Sequence, residues 1–246
     1  MINLKILVNK TDLYNNAEFL KKTSQKIKYL EGVGFNIAIT KDNQFVVFSP
    51  ISNNQATIQT ITNKNLKELT YLDLLTLKDV LTFYQQKQSQ NKIFLNLLPS
   101  TIPITSEESL ETIKNINQNY TKHLLETLKP YENLNLYLGS VNASLMQLLK
   151  SENMPWKKGI VLFGGNLNYI DVDFYVFGTE LLNAEIFNQQ LKSNKEVILY
   201  LGDANDLTIA YKFFRGETST ALANSIFDDI LFLNDYPELF FKLFSN

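Results

Sequence analysis

Ile230-Leu231-Phe232-Leu233-Asn234-Asp235-Tyr236-Pro237-Glu238-Leu239 is the stretch from which the fold is read. Four apolar residues make a buried strand and a short polar turn follows. Pro237 then enters the first turn of a closing helix over Pro237–Phe244, where a missing N–H costs nothing. The same strand–turn–helix unit recurs upstream. Val197–Leu201 precedes a helix over Asn205–Phe214, and Val172–Phe177 precedes one over Leu181–Leu191. Ile160–Phe163 is a strand followed by the loop Gly164-Gly165-Asn166. Leu134–Leu138 is a strand, and Asn142 caps a helix through Lys150. Ile93–Leu98 is a strand, and Thr105 with Glu108 makes a capping box for a long helix ending near Lys129-Pro130.

The N-terminal third continues the pattern with one variation. Leu4–Val8 is a strand, and Asn15–Glu31 carries Phe19, Leu20, Ile27 and Leu30 at helical spacing, closed by Gly32. Phe35–Ile39 is the second strand. Thr40-Lys41-Asp42-Asn43 is a turn that returns the chain into Phe45–Phe48, so the two runs pair as a hairpin. Ile51–Thr62 is polar without a strong period, within an insertion over about 51–70, and Leu72–Gln88 is helical. About eight such units in 246 residues predict a single α/β domain over 1–246, a TIM-like (β/α)8 barrel. A doubly wound open sheet is the alternative. It would normally carry a glycine-rich phosphate loop after the first strand, and none is present.

Composition narrows the function classes. A net charge of −2 gives no basic face for nucleic acid. With no cysteine, disulfides, thiol nucleophiles and cysteine-ligated zinc are excluded. No apolar stretch approaches the roughly 18 residues of a membrane span. Met1–Val8 reads as a strand and not as the core of a signal peptide, so a cytoplasmic protein is expected. The abundance of Asn, Lys and Ile beside the single Arg215 reflects an AT-rich coding sequence.

The order of motifs resembles that of glycerophosphodiester phosphodiesterases, barrels of the phospholipase-C-like type, along essentially the whole chain. The hairpin turn Thr40-Lys41-Asp42-Asn43 and its return Val46-Val47-Phe48 stand where that family has Thr-Lys-Asp-Gly and Val-Val. Asn96-Leu97-Leu98-Pro99-Ser100 stands for the third-strand motif Asn-x-Glu-x-Lys. Tyr200 matches the seventh-strand aromatic, and Asp229 through Pro237 matches the closing Asp-Gly-Ile-x-Thr-Asp-Tyr-Pro. The resemblance implies a phosphoric diester hydrolase of lipid metabolism that uses two histidines, with Ca²⁺ or Mg²⁺ held by carboxylates.

The residues depart from that chemistry at each position. Asn9 and Lys10 replace the first His and its Arg, and Asn15 replaces the Glu at the first helix. Gly34 and Asn36 replace the second-strand Glu and Asp. Ser49 and Pro50 replace the second His and its Asp, while Leu98 and Ser100 replace the third-strand Glu and Lys. Neither Asn9 nor Ser49 can shuttle a proton near neutral pH. Asn9, Asn15 and Asn36 offer amide oxygens without charge, a poor set for a hard divalent ion. The sequence therefore predicts no catalytic residue for the family's reaction, no metal and no cofactor. Asn9, Lys10, Asn15, Gly34, Asn36, Ser49, Leu98 and Ser100 mark a vestigial site, with Lys10 as an anion-binding candidate.

The expected role is a pseudoenzyme that binds a small phosphorylated or polyol ligand, or a protein partner. An active hydrolase with a site rebuilt from later carboxylates such as Asp171 or Asp203 is the alternative, and a scaffold with a filled mouth is a third. The solitary His123 falls on an outer helix and reads as a helix-surface residue. Asp12, Asp42, Asp171, Asp173, Asp203 and Asp235 read as turn, edge and cap residues. The run Leu239-Phe240-Phe241-Lys242-Leu243-Phe244 reads as a helix packed on the barrel, and any excess apolar surface there would favour a homo-oligomer.

Overall fold

A computed structural model describes residues 5–9, 31–48, 58–72, 74–98, 107–164, 170–214 and 230–234, with residues 239 and 243. Its strands are β1 (Lys5–Asn9), β2 (Gly32–Ile39), β3 (Phe45–Val47), β4 (Lys92–Leu98) and β5 (Leu136–Ser140), then β6 (Lys157–Leu162), β7 (Phe174–Phe177), β8 (Glu196–Leu201) and β9 (Ile230–Asn234). Neighbours run in the order β1-β9-β8-β7-β6-β5-β4-β2, and β1 also pairs with β2. All of these pairings are parallel, so the sheet closes on itself. Closure excludes the open doubly wound sheet, in which two strands would keep free edges.

β3 is the exception to parallel order. It pairs antiparallel with the upper end of β2, from Ile37 to Ile39. The turn between them works because Asn43 adopts φ 58, a left-handed conformation that Asn tolerates better than most residues. The Thr40 hydroxyl donates to Asp42 Oδ1 at 2.6 Å, and the same oxygen accepts the Leu66 amide at 2.9 Å. Burial pushes the Asp42 carboxyl up, but these two donors outweigh it and hold the group below its ordinary value. Asp42 thus ties the hairpin to a 3-10 helix over Leu66–Leu72.

The helices wrap the outside: α1 (Ile58–Thr62), α2 (Leu77–Gln86), α3 (Glu107–Leu128), α4 (Ala143–Ser151), α5 (Glu185–Leu191) and α6 (Ala204–Phe214). α2 buries Leu77, Val80, Leu81 and Tyr84, one face of a 3.6-residue repeat. It begins later than the expected Leu72, because Thr76 accepts the Asp79 amide as its N-cap. Asn142 caps α4 as read, accepting the Leu145 amide. The helix expected over Leu181–Leu191 is divided into a 3-10 turn, Thr179–Leu181, and then α5. The segment read as polar and irregular contributes α1 and the 3-10 helix, whose Ile61, Leu69 and Leu72 pack with Val46 and Phe48 of the hairpin. The helices expected over Asn15–Glu31 and Pro237–Phe244 fall outside the described residues, apart from Glu31, Leu239 and Leu243. So does the capping contact of Thr105. No helix among the described residues is long and apolar enough to cross a membrane.

Inside the barrel, side chains stack in layers. At the floor, where the strands begin, Glu196 of β8 accepts Lys92 of β4 at 2.8 Å and Lys157 of β6 at 2.6 Å. The Tyr137 hydroxyl of β5 donates to the same carboxylate at 3.0 Å. Burial pushes Glu196 up, but the two lysines outweigh it and hold the group below its ordinary value of 4.5. Burial lowers Lys92, and Glu196 outweighs it and raises the group above 10.5. Above this floor, Phe94 meets Phe174 edge-on at 6.1 Å. Gly139 and Gly159 make room for them: a Cβ on Gly159 would stand 2.2 Å from the Phe174 ring.

Two outcomes follow for stability. Gly159→Ala would overpack this layer and is expected to lower unfolding free energy by about 1–3 kcal/mol in urea denaturation. Glu196→Gln takes the carboxylate from Lys157 and leaves Lys92 only Glu31, at 3.3 Å, and is expected to cost about 2–3 kcal/mol at pH 7. The native Glu196 contribution is present above pH 4.5 and is lost as pH falls through its depressed folded value. The Lys92 contribution is present below pH 10.5 and is lost as pH rises through its raised value. Unfolding curves taken between pH 3 and pH 7 should therefore be flatter for the variant than for the native chain.

Candidate functional site

The C-terminal ends of the parallel strands open at one mouth. Strand alternation decides which residues face it. On β2, Gly34 and Asn36 point inward together, and on β4 Asn96 and Leu98 do. Register pairing sets Asn36 directly beside Asn96 and sets Asn9, the last residue of β1, beside Gly34. A cavity of about 240 Å³ sits at this mouth. One wall is formed by Asn36, Asn96 and Leu98, with Ile58 of α1 leaning over it. The facing wall comes from Val161, Phe163, Val176 and Tyr200.

None of the described residues lining the cavity carries a charge. Its polar chemistry is concentrated in the two asparagines: Asn96 Nδ2 donates to Asn36 Oδ1 at 2.7 Å. Asn96 Oδ1 is buried and has no hydrogen-bond partner. Across the cavity, the rings of Phe163 and Tyr200 meet edge-on at 6.1 Å. Phe163 stands at the rim, 38% exposed.

Of the residues that the sequence marked, Gly34, Asn36 and Leu98 lie on the strands around this mouth, and Asn9 ends the strand beside them. Lys10, Asn15, Ser49 and Ser100 lie outside the described residues. Asn96, Phe163, Val161 and Val176 were not singled out as site residues. The two-residue alternation from Asn36 and from Leu98 was the signal that could have found Asn96, and the strand end at Phe163 was the other.

The carboxylates do not gather. Asp171 precedes β7 at the floor end, where Lys150 and Lys195 bind it at 2.7 and 2.9 Å and pull it down to about 2. Asp173 accepts the Lys158 amide at 2.8 Å. Asp203 lies past the end of β8, at the mouth end, and caps α6 through the Asp206 amide at 2.8 Å. Asp171 and Asp203 therefore stand at opposite ends of the barrel, and Asp12 and Asp235 lie outside the described residues. His123 is on α3, 3.4 Å from Glu126. Among the described residues no group of three or more His, Asp or Glu is arranged to hold a metal ion. The amide of Gly164, in the loop after β6, donates to Glu180 at 2.7 Å. Gly165 and Asn166 lie outside the described residues.

These features define a parallel (β/α)8 barrel with a cavity, uncharged in its described lining, where such barrels place their ligands. No family model matches the sequence, and no curated protein matches it. Solved structures do. A phosphodiesterase from Oleispira antarctica, in complex with the product sn-glycerol-3-phosphate, matches with a TM-score of 0.68 at 14% identity, over 100% of this chain and 98% of that one. A glycerophosphodiester phosphodiesterase from Parabacteroides distasonis matches with a TM-score of 0.65 at 14% identity, over 99% and 98%. One from Thermotoga maritima matches at 0.61 and 17% identity, over 98% of both chains. The chain shares the barrel fold of these phosphodiesterases.

The asparagine pair carries a testable cost. Asn36→Leu would strand the Asn96 amide in a largely apolar cavity and is expected to destabilise the protein by about 1–3 kcal/mol. The double variant Asn36→Leu, Asn96→Leu should recover most of that loss. A double-mutant cycle in urea reads the difference.

Proposed function

We propose that this chain is a phosphodiesterase-like barrel that binds a small phosphorylated or polyol ligand at its mouth and does not cleave phosphodiesters. The uncharged character of the described residues that line the mouth cavity carries this reading. Hydrolysis of a phosphodiester needs an acid, a base and usually a cation on the phosphate. Ca²⁺ and Mg²⁺ need several hard, charged oxygen ligands. Here Asn36 has its carbonyl oxygen engaged by Asn96, and Leu98 offers only hydrocarbon. That donor set does not fit such an ion. What it fits is recognition: amide donors and acceptors on one side, and aromatic and aliphatic surface on the other.

The bound sn-glycerol-3-phosphate in the Oleispira antarctica structure supports a glycerol-sized ligand for this mouth. Lys10, next after the end of β1, is the residue that would meet a phosphate. A role in glycerophospholipid turnover rests on the resemblance alone. The rebuilt-hydrolase reading draws no support from Asp171 and Asp203, which stand at opposite ends of the barrel.

Purified protein with glycerophosphocholine or glycerophosphoglycerol and millimolar Ca²⁺ or Mg²⁺ is expected to release no glycerol phosphate above the buffer rate. The same cations should leave its thermal midpoint where chelator leaves it, since a ligand of the folded state alone would raise it. Cation-dependent turnover that disappears on substituting Asn9 or Ser49 would sink the proposal.

A further inference from the structure

The segment Ile58–Leu72, made of α1 and the 3-10 helix after it, is attached to the barrel differently from the other helices. The hairpin return beside it has two faces. Phe45 and Val47 join the main core under the long helices. Val46 and Phe48 instead pack with Ile61, Leu69 and Leu72 of this segment, in a small apolar cluster of their own. Behind the segment lies a cavity of about 510 Å³, lined by Thr62 and Asn63 on one side and by Thr112, Asn115 and Asn119 of α3 on the other.

Its hydrogen bonds are of two kinds. Some lie within it. The Asn63 amide donates to the Gln59 carbonyl at 3.1 Å, the Lys64 amide to the Ile61 carbonyl at 3.3 Å, and the Asn65 amide to the Glu68 carboxylate at 2.8 Å. These move with the segment. Others tie it to the hairpin turn: the Leu66 amide donates to Asp42 Oδ1, and the Lys41 amide to the Lys64 carbonyl, both at 2.9 Å. Just beyond its far end the Val47 amide donates to the Leu75 carbonyl at 2.8 Å, and α2 is anchored in the main core. Local bonds inside, a separate apolar contact, a pinned end and a cleft behind are the features of a unit that opens on its own. Ile58 packs against the small cluster and also lines the mouth cavity, so such an opening alters the cavity wall.

We propose that Ile58–Leu72 is a latched strap: it opens from the hairpin as one unit while the barrel stays closed, the Asp42–Leu66 hydrogen bond is its latch, and its opening takes Ile58 out of the mouth wall. Such an opening does not depend on what the mouth binds.

The test is amide hydrogen exchange of the full chain, followed by NMR at neutral pH in stepped urea below the unfolding transition. The amides of Asn63, Lys64 and Glu68 are expected to share one opening, with protection at least about tenfold below that of β4 to β8 and a shallower dependence on urea. Asp42→Ala removes the latch acceptor and should lower the strap's protection about fivefold or more, with its urea slope unchanged. Glu196→Gln weakens the floor, which stays intact when the strap opens. It should therefore lower the protection of the strands and leave that of the strap within about twofold. Residual protection of β5 to β7 shows that each variant is folded. Strap amides that match the strands in protection and urea slope would overturn the inference. So would a Glu196→Gln effect as large on the strap as on the strands, or an Asp42→Ala variant whose strap protection stays within about twofold of the native chain.

Discussion

The Glu196 carboxylate is the point on which the barrel's organisation depends. It gathers Lys92, Lys157 and the Tyr137 hydroxyl from β4, β6 and β5 onto β8. Three charged groups placed inside a barrel would ordinarily be a liability, because each loses water. Here each lone pair and each ammonium has a partner, and the rim position leaves some solvent to share. The floor is therefore closed by ionic pairing, and the layer above it by the Phe94–Phe174 contact. The opposite end holds the cavity lined by Asn36, Asn96, Phe163 and Tyr200.

The floor also explains where the sequence was hard to read. Strands were expected to begin at Ile93, Ile160 and Val197, on the apolar residues. They begin at Lys92, Lys157 and Glu196, because these side chains find one another inside the barrel and not in water. Pairing across 39 to 104 residues leaves no local mark in the chain. Thr76 and Asn142 were different: a cap is a contact within three residues. Asn142 was read correctly for that reason, while Thr76 was hidden behind the apolar run Leu72-Leu74-Leu75. The hairpin was legible because its turn chemistry is local, with Asp42 and Asn43 in their own turn. The 3-10 helix at Leu66–Leu72 was not, since Asp42 stabilises it from 24 residues away.

The mouth was legible by its replacements and not by its content. Gly34, Asn36 and Leu98 were identified by what they are not, and the strands carry them to the expected end of the barrel. What fills the mouth comes from separate strands: Asn96 beside Asn36, and Phe163 beside Tyr200. Each residue alone is ordinary. The meaning lies in register and in barrel order, which a linear pattern does not contain. The same holds for the carboxylates offered for a rebuilt site, since Asp171 stands at the floor and Asp203 at the mouth end.

β2 changes partner halfway along its length, from β1 below to β3 above. Among the described residues β1 pairs with the first three residues of β2, and the hairpin holds the last three as a separate strip. Damage to one need not spread to the other. A lineage with this architecture can exchange the residues of its rim while the strands below go on folding as before. Such a partition lets the side chains around the cavity vary at little cost to the frame that carries them.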